Sequence, residues 1–141
     1  MLAAVLTVAL AGSLVHFQSP SGNINCIGAP SGTFGPAFVQ CLVRKQSWPR
    51  LRPKPASCDL DWDPATISLS RGRASVGSCR GDIGPLCVYT SDRCSTLGYG
   101  RSVDIGPIRC TSATTGVTCR YRTAPRAGFW IAREHYALYR R

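Results

Sequence analysis

A chain of 141 residues, with an apolar leader set aside, is one domain's worth of material, and a domain of that size buries about two thirds of the surface its unfolded chain exposes. Fifteen arginines and two lysines against seven acids give a net charge of +10, a balance that favours attraction to polyanions and says nothing about fold. The eight cysteines contain no Cys-x-x-Cys pair and there are only two histidines, His16 and His135, which argues against zinc sites and for disulfides made in an oxidising compartment.

Residues 2–15 are apolar and carry a small-x-small pattern at Ala9-Leu10-Ala11, as a secretory signal peptide does. The run is shorter than the roughly 20 residues that span a bilayer as a helix. No Lys or Arg precedes it, so an uncleaved N-terminal anchor is the alternative reading of residues 1–15. Leu10-Ala11-Gly12 opens like a lipobox, but Ser13 stands where the acylated cysteine must be, which argues against that lipid anchor. Residues 16–141 are then expected to form a single disulfide-bonded β domain with no integral membrane span.

Ser, Pro and Gly mark a turn within residues 17–22. Residues 23–27 alternate as a strand with Ile24 and Cys26 on one face, and residues 28–35 are a loop. In residues 38–44 Val39, Cys41 and Val43 share a face, so a Cys26–Cys41 bond would tie two strands of a hairpin. Three prolines in residues 48–55 remove hydrogen-bond donors and fix φ, predicting an extended basic surface loop. Residues 66–70 and 73–79 alternate as short strands around Arg71-Gly72, and residues 86–90 are another candidate strand.

Residues 103–112 and 116–122 read as a hairpin through Ala113-Thr-Thr-Gly116, with Val117, Cys119 and Tyr121 facing one way and Thr118, Arg120 and Arg122 the other. Residues 128–132 give a last strand, and residues 133–139 a short C-terminal helix. Many short strands with 14 Gly and 10 Pro predict an all-β, small antiparallel sandwich or barrel with disulfide cross-links. Eight cysteines admit roughly a hundred pairings. The sequential one, Cys26–Cys41, Cys58–Cys79, Cys87–Cys94 and Cys110–Cys119, joins sequence neighbours and fits turns or hairpins in three of its four bonds.

The segment Phe17-Gln-Ser-Pro-Ser-Gly-Asn-Ile-Asn-Cys26 resembles the opening of an uncharacterised family of small actinobacterial secreted proteins, classed as a domain of unknown function. The likeness continues through Cys58-Asp-Leu-Asp-Trp62, Cys79-Arg-Gly-Asp82, Leu97-Gly-Tyr-Gly100, Gly116-Val-Thr-Cys119 and Gly128-Phe-Trp-Ile131. The resemblance implies secretion and six framework cysteines, Cys26, Cys41, Cys58, Cys79, Cys110 and Cys119. Cys87 and Cys94 depart from it and read as a private loop staple. It implies no catalytic residue and no ligand.

Three constellations carry candidate chemistry. Asp59, Asp61 and Asp63 would share one face of a strand and present oxygens to Ca²⁺, or pair with Arg50, Arg71 and Arg73. The EF-hand pattern fails, because Pro64 replaces its glycine and Ser70 its bidentate Glu. Glu134 and His135 are the only adjacent carboxylate and imidazole, as a small secreted hydrolase such as a nuclease would need, although strand neighbours point to opposite faces. Arg44, Lys45, Arg50, Arg52 and Lys54 cluster around the proline loop, and Arg120, Arg122, Arg126, Arg133, Arg140 and Arg141 form a second basic set.

The first reading is a non-enzymatic secreted or cell-envelope-associated protein that binds polyanions through Arg44, Lys45, Arg50, Arg52, Lys54, Arg120, Arg122 and Arg126. Its expected partners are anionic envelope polymers, an anionic lipid surface or nucleic acid, with no cofactor or metal and a monomeric state. The alternatives are the hydrolase built on Glu134 and His135, and a secreted inhibitor or host-interaction module on a disulfide-rich β scaffold.

Overall fold

The computed structural model describes residues 14–87 and 94–140. The leader expected over residues 1–15 lies almost wholly outside these residues, as does most of the candidate strand at 86–90, of which Leu86 and Cys87 are not in a strand. Strand β1 (Val15–Gln18) is followed by β2 (Ile24–Ala29), β3 (Phe38–Val43), β4 (Asp61–Ser70) and β5 (Arg73–Arg80), an antiparallel meander. Two residues of β6 (Ser95–Thr96) pair parallel with β1 and complete a sheet of order β5-β4-β3-β2-β1-β6. The second sheet is a meander of β7 (Ser102–Ile105), β8 (Ile108–Ala113), β9 (Gly116–Tyr121), β10 (Gly128–Ile131) and β11 (Tyr136–Tyr139).

The two sheets pack face to face because their longer strands turn apolar residues inward. Phe17, Cys26, Val39, Cys41, Ile67 and Leu69 of the first sheet share one core with Ile105, Ile108, Val117, Cys119, Phe129 and Ile131 of the second. Each of the Val, Leu, Ile and Phe side chains among these contributes about 1.5–3 kcal/mol when fully buried. Cys26–Cys41 and Cys110–Cys119 are directly opposed pairs in their ladders, with Cα atoms 4.1 and 4.0 Å apart, and all four cysteines are fully buried. Close opposition of this kind suits a cross-strand disulfide, and it places one bond in the core from each sheet. Cys58–Cys79 and Cys87–Cys94 complete the sequential scheme.

Three local readings are corrected. Residues 133–139 form no helix: Ala132 N–H donates to the His135 carbonyl at 2.9 Å, closing a tight turn at Arg133 and Glu134, and β11 runs back along β10. Helix propensity loses here to the free edge of β10. The strand expected over 103–112 is two strands, because Gly106 (φ +56°) and Pro107 turn the chain and let Ile105 oppose Ile108. Residues 17 and 18 belong to β1 instead of the turn, which occupies the residues between Gln18 and Ile24.

The loop at 48–55 is extended and exposed except for Trp48, which is buried. The Trp48 indole donates to the Ala132 carbonyl at 2.9 Å and packs on Tyr136 with ring centroids 4.6 Å apart, so the start of the loop is pinned to the second sheet. Trp62 holds its other part, donating to the Arg52 carbonyl at 2.8 Å. The Trp62 ring lies directly on Gly77, where a Cβ would meet it at 2.2 Å and φ is +92°. Only glycine meets both conditions.

Candidate functional site

The fold divides the basic residues into separate groups. Arg52, Arg73, Tyr139 and Arg140 line one cleft beside the edge strands β5 and β11, and Arg120, Arg126 and Arg140 line another. Arg140 is common to both, so the two clefts adjoin and together present five arginines. Among the described residues no Asp or Glu side chain lines either cleft.

Strand register explains how Arg120 reaches this edge. Gly128 on β10 lies between Arg120 on β9 and Tyr139 on β11. A Cβ at Gly128 would stand 2.6 Å from Arg120 Cγ and 2.1 Å from the Cys119 carbonyl oxygen. With no side chain in the way, the Arg120 guanidinium reaches the Tyr139 ring, 4.4 Å from its centroid, while its Nε donates to the Arg126 carbonyl at 2.9 Å. Cation–π stacking and a fixed carbonyl hold the charge in place.

Three acids are paired with arginines outside this edge. Asp63 binds Arg80 through one oxygen and accepts from Ala65 N–H at 2.9 Å through the other. Arg80 also approaches Asp82 at 3.9 Å. Asp104 forms a two-pronged pair with Arg109, at 2.8 and 3.2 Å. That hydrogen bonding holds the Asp104 carboxyl below its ordinary value, against the opposing effect of desolvation and with help from the Arg109 and Arg122 charges.

A third cleft, of about 640 Å³, opens at one end of the sandwich. The turn after β1, the residues following β3, the β8–β9 turn and the β10–β11 turn meet there, bringing Arg44, Lys45, Arg133 and Glu134 together with Ser21, Asn23, Tyr99, Thr114 and Thr115. Asn23 fixes one wall, donating to the Lys45 carbonyl at 3.1 Å and accepting from Lys45 N–H at 2.8 Å. Fully buried Asn25 anchors the same turn: its amide donates to the Gly22 carbonyl at 2.8 Å and accepts from Cys87 N–H at 2.8 Å.

Of the eight expected polyanion contacts, Arg52, Arg120 and Arg126 thus gather at the β11 edge, and Arg44 and Lys45 at the end cleft. Arg50 and Lys54 are exposed and line none of these clefts. Arg122 turns toward the β7–β8 turn, donating to the Gly106 carbonyl at 2.8 Å. Arg73 has no sequence neighbour in either basic run; only the pairing of β5 at the sheet edge brings it to Arg52 and Arg140.

The rival constellations are dispersed. Glu134 lines the end cleft and His135 does not, its ring standing edge-on to Trp130 at 6.4 Å. Asp59 precedes β4, while Asp63 is engaged by Arg80 and not by Arg50, Arg71 or Arg73. Among the described residues one group of potential metal ligands lies within 4.8 Å, His16 with Cys87 and Cys94. Its sulfurs are bonded to each other, and His16 Nε2 lies 2.7 Å from the Pro85 carbonyl oxygen.

What these features define is a disulfide-bonded β sandwich with an arginine-lined edge. The chain belongs to a family of unknown function, DUF6636, whose model matches residues 1–139. No curated protein and no solved structure matches it significantly.

Proposed function

We propose that the protein works outside the cytoplasm, secreted or associated with the cell envelope, as a non-enzymatic binder of linear anionic polymers. The observation that carries this reading is the pair of adjoining clefts at β5 and β11, with five arginines and one tyrosine ring. Guanidinium groups bind sulfate, phosphate or carboxylate through paired N–H donors, so successive anions along a chain can be met by successive arginines. Four disulfides support an oxidising compartment. No helix among the described residues is long and apolar enough to cross a membrane.

The test is binding to a sulfated polysaccharide and to a polyphosphate over a salt series. The Arg120→Ala/Arg126→Ala/Arg140→Ala variant should lose most of the affinity and flatten the salt dependence. Unchanged affinity in that variant would remove the β11 edge from the function.

A further inference from the structure

We propose that the end cleft is a second, separate site, one that takes a small carboxylate-bearing sugar such as a hexuronic acid unit. It shares no residue with the arginine edge. Its walls are fixed by bonds crossing between turns and sheets. Asn23 and Lys45 hold each other, Ser47 N–H donates to the Arg133 carbonyl at 2.8 Å, and the Trp130 indole donates to the Thr115 carbonyl at 3.1 Å. The segment bearing Tyr99 is held at both ends, by Leu97 N–H on the Gln18 carbonyl at 2.9 Å and Gly100 N–H on the Ser112 carbonyl at 2.7 Å. A cleft built this way is formed before its ligand arrives, which lowers the ordering cost of binding.

Size and chemistry select the ligand class. A volume of about 640 Å³ is in the range of small-molecule sites, where a few convergent polar groups set orientation. Arg44, Lys45 and Arg133 are exposed cations, and none forms an ion pair among the described residues. Glu134 is the single acid lining the cleft with them among the described residues, which leaves these four groups a net charge of two positives. A highly charged polymer gains nothing from Glu134, but a sugar does, because a carboxylate accepts hydrogen bonds from vicinal hydroxyls. Exposed Thr114 and Thr115 add hydroxyl donors and acceptors, and Tyr99, half exposed, offers an aromatic face to the apolar side of a pyranose ring. The cations then meet the carboxylate of the bound sugar unit.

The probes are digalacturonate, its dimethyl ester and glucose 6-phosphate, titrated against the ¹⁵N-labelled protein by NMR. Digalacturonate should shift the amide signals of the β1–β2, β8–β9 and β10–β11 turns, and the ester should bind about tenfold more weakly because it lacks the charge-assisted bonds. Arg44→Gln/Arg133→Gln should weaken digalacturonate by a similar factor, and Tyr99→Ala should weaken both digalacturonate and the ester. All three substitutions are at exposed positions, so an unchanged spectrum elsewhere verifies the fold. The triple arginine variant of the β11 edge should bind digalacturonate as the wild type does, so the two sites fail or stand independently. Absent binding, equal binding of the ester, tighter binding of glucose 6-phosphate, or indifference to Arg44→Gln/Arg133→Gln would each overturn the assignment.

Discussion

Arg120 reaches across a glycine to stack on Tyr139, its guanidinium carbon 4.4 Å from the ring centroid. The contact depends on Gly128, whose bare backbone lies between the two in adjacent strands. Gly128→Ala should destabilise the domain by about 1–3 kcal/mol, since its methyl would collide with the Cys119 carbonyl and the Arg120 stem. It should also lower polymer affinity by displacing the guanidinium. Tyr139→Leu keeps an apolar side chain and should cost only about 0.5–1 kcal/mol, the worth of an exposed cation–π contact. Urea unfolding of the two variants checks the order; a wild-type midpoint for Gly128→Ala would show that the approach is not tight.

The disulfides should differ in value according to the loop each one closes. Cys58–Cys79 spans 21 residues and Cys87–Cys94 spans 7. Loop-closure entropy then assigns about 3 kcal/mol to the first and about 2 kcal/mol to the second. Replacing Cys87 and Cys94 together by Ala should therefore lower the melting temperature least among the four pairs. Full reduction should abolish cooperative unfolding, because four bonds together rival the roughly 5–15 kcal/mol stability of a whole domain. An unchanged thermal transition in excess reductant would refute this.

How much of this was legible in the sequence depended on how local the determining interaction is. Val39, Cys41 and Val43, and likewise Val117 and Cys119, announce their strands by alternation, and their cysteines pair with the nearest cysteine because a hairpin brings sequence neighbours together. Residues 133–139 mislead because β11 is a strand only by virtue of the β10 edge beside it. Asn25 misleads in another way: alternation predicts a solvent-facing side chain, yet it is fully buried by the chain around Cys87. The arginine edge was half visible. Arg120, Arg126 and Arg140 fall in one basic run, but Arg52 and Arg73 join them through Trp62 and through the position of β5, which no sequence window contains.

One pH effect follows from the Asp104–Arg109 pair. The native carboxyl titrates below its value in the unfolded chain, so near and below pH of about 4 the unfolded state binds more protons. The pair's contribution is fully present above the unfolded value and is lost as the pH falls through the native one. The difference in stability between the wild type and Asp104→Asn should therefore be present at neutral pH and vanish in strong acid. Both side chains are about half exposed, so solvent screening should keep the difference small and added salt should shrink it. A difference that grew on acidification would contradict the assignment.

The strongest discrimination concerns which arginines bind the polymer. If counterion release drives association, log affinity should fall linearly with log salt, and each charge removed from the true contact should reduce the slope by about one. The arginine edge contains Arg52 but not Arg50 or Lys54, so Arg50→Ala/Arg52→Ala/Lys54→Ala should reduce the slope by about one and not three. Arg120→Ala/Arg126→Ala/Arg140→Ala should reduce it by close to three. Equal reductions would mean that net charge alone matters and that the clefts have no special role. His135→Ala should leave binding untouched, because that ring lies by Trp130 and lines neither cleft at this edge. The same three variants assayed for nucleic-acid cleavage address the hydrolase alternative: turnover in the wild type that disappears with His135→Ala would replace the binding reading with a catalytic one.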